Sequence, residues 1–269
     1  MDIKRNLIII GGAEDKEGNK EILKEVCSSI DKDKDKLLIA TLATEEPVEA
    51  GKRYRNIFSS LGVKNISILN ISERTEGFLE GNVKLIIEAG LIFFTGGDQL
   101  RITSLIGGTP VGYAIKEGYE KGCVYVGTSA GASAACDNMI VAGEDEESAR
   151  KCTLKMSPGL GLIENVIIDQ HFIQRGRIGR ILTGIAQNPS VLGIGIDEDT
   201  AIVVYNNSFL RVIGSGAVYI IDGRDISYTN VSEQYQEEIL SIFNVKMHIL
   251  KKGNAFDLSK RVPIEEEEA

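Results

Sequence analysis

The chain has 269 residues, of which 43% are hydrophobic and 26% charged, with a net charge of −9. That balance belongs to a folded globular protein, excludes fibrous and disordered classes, and lacks the basic footprint that nucleic-acid binding needs. No apolar run approaches the ~20 residues of a membrane-spanning helix. The N-terminal MDIKRNLIIIGGAED shows neither the apolar segment nor the cleavage site of a secretory signal, so a cytoplasmic protein is expected.

Apolar, β-branched runs alternate with amphipathic stretches along the first half. Asn6–Ile10 is the first expected strand and ends at Gly11-Gly12. Residues 19–30 place Ile22, Leu23, Val26 and Ile30 at helical spacing. A strand over 37–42, a helix over 47–61, a strand over 67–71 and a helix over 81–89 follow. Leu91–Phe94 is a buried strand ending in Thr95-Gly96-Gly97-Asp98, residues 110–121 form a helix opened by proline, and 124–126 run as a strand into Gly127. Strands at 166–168, 191–196, 200–206, 209–213 and 217–221 and a helix over 233–243 complete the reading, with a hairpin turn at Asn206-Asn207-Ser208.

Strands without polar alternation, interleaved with helices, indicate an α/β fold: a mostly parallel sheet flanked by helices on both faces, of the flavodoxin-like or class I glutamine-amidotransferase-like kind. The crowded strands of the second half predict an antiparallel C-terminal extension. No repeat or linker divides the chain, so residues 1–269 are expected to form one hydrolytic domain, with 261–269 an acidic flexible tail. Cys27, Cys123, Cys136 and Cys152 form no C-x-x-C pair and read as reduced thiols. With two histidines and no paired cysteines, a zinc site would need mainly carboxylates, and no metal is expected.

The segment VYVGTSAGASAA carries the chemistry. Gly127-Thr128-Ser129-Ala130-Gly131 fits G-x-S-x-G, with a strand before it and a small-residue helix after it. Such a turn presents the central serine at a helix N-terminus, where N–H groups stabilise negative charge. His171, in IIDQHF, stands at the carboxyl end of an expected strand, where a base for Ser129 belongs; His248, in KMHILKK, reads as a surface or half-buried strand residue. The run Asp197-Glu198-Asp199 offers three acids for the third position, and strand alternation puts Asp197 and Glu198 on opposite faces without saying which face holds His171. The chain order Ser, His, acid differs from the Ser, acid, His order of α/β-hydrolases.

Taken together, IIGGAEDKEG, FFTGGDQ, VGTSAGASA, DQHFIQRGRIGR and GIGIDEDTA, in that order from about Leu7 to about Tyr205, closely resemble the cyanophycinases, members of the serine peptidase group that also contains α-aspartyl dipeptidase. The resemblance implies hydrolysis of cyanophycin, a poly-aspartate with arginine on each side chain, to β-Asp-Arg dipeptides by a homodimer without cofactor. It makes Ser129 the nucleophile, His171 the base and Glu198 the orienting acid, with the N–H groups of Gly97 and Ala130 as oxyanion hole. It also places Gln99, Asp169, Gln170, Arg175, Arg177 and Arg180 in the substrate cleft.

The three arginines after His171 suit a carboxylate-bearing substrate, or else pair with acids of the protein itself. Glu14, Asp15, Glu45, Glu46 and Asp98 are candidates for the polymer's guanidinium groups. Three other readings remain open: a dipeptidase of the same group, a nucleotide-binding module built on Gly11-Gly12 and Gly96-Gly97, and a non-catalytic polymer-binding protein.

Overall fold

In the computed structural model, residues 6–143, 148–151, 153–232 and 238–264 are described. The first half alternates strand and helix: β1 (Asn6–Ile10), α1 (Glu21–Ser28), β2 (Lys36–Ala40), α2 (Pro47–Ser60), β3 (Asn65–Leu69), α3 (Glu80–Ile87) and β4 (Leu91–Phe94). Then come α4 (Gln99–Ile106), α5 (Pro110–Glu120), β5 (Val124–Thr128) and the short α6 (Ala130–Ala134). Local chemistry sets the boundaries. Pro47 and Pro110 open α2 and α5, Asp98 caps α4 by accepting from Leu100 N at 2.8 Å, and Thr109 caps α5.

The second half is richer in strands: β6 (Asn138–Ala142), β7 (Lys155–Pro158), β8 (Val166–Gln170), α7 (Ile178–Gln187), β9 (Leu192–Ile196), β10 (Thr200–Tyr205), β11 (Phe209–Gly214) and β12 (Val218–Asp222). The short strands β13 (Tyr228–Thr229), β14 (Ile242–Phe243), β15 (Lys246–Leu250), β16 (Ala255–Asp257) and β17 (Val262–Ile264) close the described chain.

A nine-stranded sheet has the order β17-β16-β11-β10-β1-β5-β4-β2-β3. Its β1, β5, β4, β2 and β3 are parallel, and β10, β11, β16 and β17 add antiparallel neighbours beside β1. Both faces of the parallel part are covered. Ile9, Leu38, Ile92, Phe94 and Tyr125 belong to one core, Ile8, Ile10, Leu37, Ile39, Phe93 and Val126 to the other, and so the strand sequences show no polar alternation. Helices α1 and α2 contribute Ile22, Leu23, Val26, Tyr54 and Phe58 to the second core.

One sheet was expected, but β8 and β9 pair in parallel with each other, and β12 and β15 join them antiparallel, in a separate four-stranded sheet. Ile168, Ile194, Ile196 and Ile220 of that sheet share the first core with β1 and β5. The chain crosses from this sheet to the larger one between β9 and β10, through Asp197–Asp199.

Two expectations are corrected, and one helix was not foreseen. The late helix over 233–243 is not formed as expected: 233–237 lie outside the described residues, and Ile242–Phe243 pairs with β13. The tail over 261–269 is not free at its start: Arg261 Nη1 donates to Asp222 Oδ1 at 2.8 Å and Val262–Ile264 is an edge strand, while 265–269 are outside the described residues. Helix α4 has no counterpart among the expected elements, although Ile102, Leu105 and Ile106 are buried at helical spacing. At the β10–β11 hairpin Asn206 and Asn207 both have positive φ (49° and 55°), as a primed turn demands.

Candidate active site

Ser129 occupies the bend between β5 and α6 with φ 53° and ψ −109°, a conformation that costs on the order of 1–3 kcal/mol for a residue with a side chain. The surroundings enforce it. Ser129 N donates to Ile10 O at 3.0 Å, and a Cβ on Gly127 would lie 2.2 Å from Gly131 O, so the chain folds back on itself only if that position is bare. Helix α6 has five residues, so its local N–H groups rather than a long dipole act here.

The hydroxyl of Ser129 lies 3.0 Å from His171 Nε2, and His171 Nδ1 lies 2.6 Å from Glu198 Oε1. The carboxylate on Nδ1 fixes the tautomer that leaves Nε2 free to accept the serine proton. His171 follows β8 with φ 48°, and its N–H donates to Gly11 O at 2.8 Å. Burial holds its pKa below the ordinary histidine value; Arg175 and Arg177 push the same way and Glu198 opposes them. The neutral imidazole is therefore the resting form at pH 7.

The acids of the β9–β10 crossover divide their work. Glu198 faces the imidazole. Asp197 turns inward and accepts from Ile173 N and Ala217 N, both at 3.1 Å. Asp199 accepts from Asp15 N at 2.8 Å and Ser215 Oγ at 2.7 Å. The Gly11-Gly12 turn is the platform for both partners of Ser129, because Gly12 O also accepts from Asp199 N at 2.9 Å. That turn is buried against His171 and Asp197, leaving no room for a phosphate at Gly11-Gly12, one of the two glycine turns on which the nucleotide-binding reading rested. Among the described residues no cluster of His, Cys, Asp and Glu could hold a metal. Cys27, Cys123 and Cys136 are free thiols, and burial pushes the last two up to about 12; Cys152 lies outside the described residues.

A cavity of about 610 Å³ opens on Ser129, His171 and Gly96. Gly97, beside Gly96, begins the turn that Asp98 N anchors on Ala43 O at 2.9 Å, and Ala130 is fully buried. The other sequence-derived cleft residues are distributed differently from the expectation. Asp98 is the exposed cap of α4, and Gln99 is buried with Nε2 donating to Ile140 O at 2.7 Å. Arg175 is exposed. Arg177 and Arg180 point inward: Arg180 forks onto the buried carboxylate of Asp169, with Nε at 2.6 Å from Oδ2, and Arg177 Nη1 reaches Gln170 Oε1 at 2.9 Å and Gln170 O at 2.7 Å. The arginines thus pair with the protein's own acid and brace the end of β8 from which His171 projects.

Of the acids considered for guanidinium binding, Glu14 and Glu46 line the cavity, whereas Asp15 accepts from the N–H groups of Glu17, Gly18 and Lys20 in its own loop, which hold its pKa down. Sequence reasoning missed the wall contributed by α2, above all Glu49, Arg53 and Tyr54. Its signal was the charged stripe of PVEAGKRYRN. It also missed that Glu14 accepts from Thr128 Oγ1 at 2.6 Å and Tyr54 Oη at 2.5 Å, beneath the bend carrying Ser129.

Comparison with known proteins fits this geometry. The pattern of peptidase family S51 matches residues 7–212. The chain is 37% identical to a cyanophycinase of Geminocystis herdmanii (strain PCC 6308) over 97% of each chain, and 39% identical to one of Nostoc sp. (strain PCC 7120 / SAG 25.82 / UTEX 2576), covering 96% of this chain and 87% of the other. The crystal structure of a peptidase from an acI-B1 Actinobacterium shares the fold with a TM-score of 0.69 at 23% identity, covering 94% of this chain and 96% of that one. With the family's pattern spanning most of the chain, this protein belongs to peptidase family S51 and is a serine peptidase.

Proposed function

We propose that the chain is a cyanophycinase: a serine-type exopeptidase that cleaves the aspartate backbone of cyanophycin and releases β-Asp-Arg dipeptides through an acyl-enzyme on Ser129. The observation that carries the reading is the unbroken relay Ser129–His171–Glu198, at 3.0 and 2.6 Å, at the mouth of a cavity. Relatives of similar length at 37% and 39% identity supply the substrate class.

In this reading His171 Nε2 takes the serine proton as Oγ attacks the backbone carbonyl, and Glu198 stabilises the imidazolium. The oxyanion rests on the N–H groups of Ala130 and Gly97, each worth about 3 kcal/mol of barrier. The imidazolium then protonates the departing amine, and water, deprotonated by His171, clears the ester. Arg175 is the exposed arginine next to the base and serves the substrate's carboxylate. Asp98, at the exposed head of α4, takes cationic groups. Gln99, Asp169, Gln170, Arg177 and Arg180 shape the cleft from beneath through their internal bonds.

The finer assignments belong to the same proposal. The β3-β2-β4-β5 run repeats the 2-1-3-4 order of flavodoxin-like sheets, which supports that label and its glutamine-amidotransferase-like variant, with β10, β11, β16 and β17 as the antiparallel extension. A core shared between both sheets supports a single domain. A cytoplasmic homodimer is proposed as well; exposed Met247 and Ile249 on the edge strand β15 suit a self-contact, which sedimentation velocity measures.

The test is incubation of the purified chain with insoluble cyanophycin and, separately, with small aspartyl dipeptides, followed by mass analysis. Release of β-Asp-Arg from the polymer is expected. Cleavage of the small dipeptides with the polymer left intact would move the assignment to an α-aspartyl dipeptidase.

A further inference from the structure

We infer that α2 forms a second binding wall beside Ser129, which takes a dipolar chain unit with its cation toward Glu46 and Glu49 and its carboxylate toward Arg53. The substrate class rests on the function proposed above; the wall itself rests on the arrangement of α2. Glu46 stands at the N-cap position of the helix with no side-chain capping bond, and Glu49, Arg53 and Asn56 follow at intervals of three, four and three, which puts them along one face. All four line the cavity that holds Ser129 and His171. At 1.5 Å per residue the stripe is about 15 Å long, room for an extended side chain.

Charge and pairing give the wall its sense. Glu46, Glu49 and Arg53 are exposed and form no ion pair among the described residues, even though Glu49 and Arg53 stand at the spacing where helical pairs close. Opposite charges left open at two ends of one wall complement a ligand with the reverse polarity. Beneath the rim the charges are already matched: buried Glu14 accepts from Tyr54 Oη at 2.5 Å and has Lys16 Nζ at 3.0 Å, with that ammonium 5.6 Å above the Tyr54 ring. The floor is therefore satisfied, and recognition falls to the rim. The Asp169–Arg177–Arg180 cluster takes no part in lining this cavity, so the wall is a separate element of specificity.

The test is calorimetric titration of β-Asp-Arg dipeptide into the full chain carrying Ser129→Ala, and into the same chain with Glu46→Gln and Glu49→Gln added, or with Arg53→Gln added, alongside turnover of polymer by the wild type. Each addition should weaken dipeptide binding about three- to tenfold, the range for partly exposed charged contacts, without lowering the melting temperature, since the residues are exposed and unpaired. An unchanged dissociation constant in both, or no binding to the Ser129→Ala chain, overturns the wall. If the wild type fails to cleave the polymer while dipeptide binding depends on α2, the proposed activity falls and the wall stands. If the polymer is cleaved while dipeptide affinity stays unchanged, the wall falls and the activity stands.

Discussion

The imidazole of His171 lies directly over Gly12: a methyl group added there would fall 2.4 Å from its Cε1 and Nε2, and the glycine holds φ at 99°. Gly12→Ala should therefore tilt the base away from Ser129 while leaving the sheets standing. A displacement of about 1 Å costs roughly 10²-fold in rate, so kcat should fall by about that factor. Stopped assays of dipeptide release, together with a thermal melt to confirm folding, check this.

Ser129→Ala should abolish turnover, by about 10⁶-fold, with the fold intact, because the bend is imposed by backbone contacts rather than by the hydroxyl. Glu198→Gln should cost less, about 10³- to 10⁴-fold, since it disturbs the tautomer but leaves nucleophile and base in place. Single-turnover kinetics and labelling of Ser129 by a fluorophosphonate measure both; near wild-type turnover by the alanine variant would overturn the acyl-enzyme.

His171 acts as a base in its neutral form, and burial depresses its pKa below the usual 6.5. The value of kcat/KM should climb through a point below that pH and level off above it. Glu198 favours the imidazolium, so Glu198→Gln should move the acid limb to still lower pH. Arg175 disfavours it, so Arg175→Gln should move the limb upward. Opposite movements in a pH–rate series would mean that another group titrates.

Arg180 and Asp169 should behave as a structural pair. Removing the guanidinium leaves Asp169, whose side chain is 1% exposed, short of its forked partner. Arg180→Ala is expected to destabilise by about 3–5 kcal/mol, the range for breaking one side of a buried pair. Denaturant unfolding measures it.

The candidate site was legible where it is local. The bend needs bare neighbours within four residues, and GTSAG shows them; DQHF ends a buried strand, so the placement of His171 could be read from its flanks. The choice of Glu198 over Asp197 and Asp199 came from the family resemblance and not from strand periodicity, because the crossover turns sharply at Asp199, with φ 47°, and the three acids take different partners. The inward turn of Arg177 and Arg180 was only one of two readings of the arginines after His171, since the flanks of DQHF do not say which acid they meet, and the structure gives Asp169. The α2 wall lies far before Ser129 in the chain and meets it only through sheet order. The second sheet was hidden for a different reason: β8 and β9 read as parallel strands wherever they pair.

The crossover at Asp197–Asp199 has a mechanical corollary. Ser129 rides on one sheet, His171 stands at the end of the other and Glu198 in the crossover, and among the ties that hold them in register are the bonds from His171 N and Asp199 N to the Gly11-Gly12 turn, at 2.8 and 2.9 Å. Proton transfer therefore works as a gauge of docking. In mild denaturant, catalysis should fade while circular dichroism is still unchanged, because a slip too small to melt a strand is enough to part the oxygen from the nitrogen.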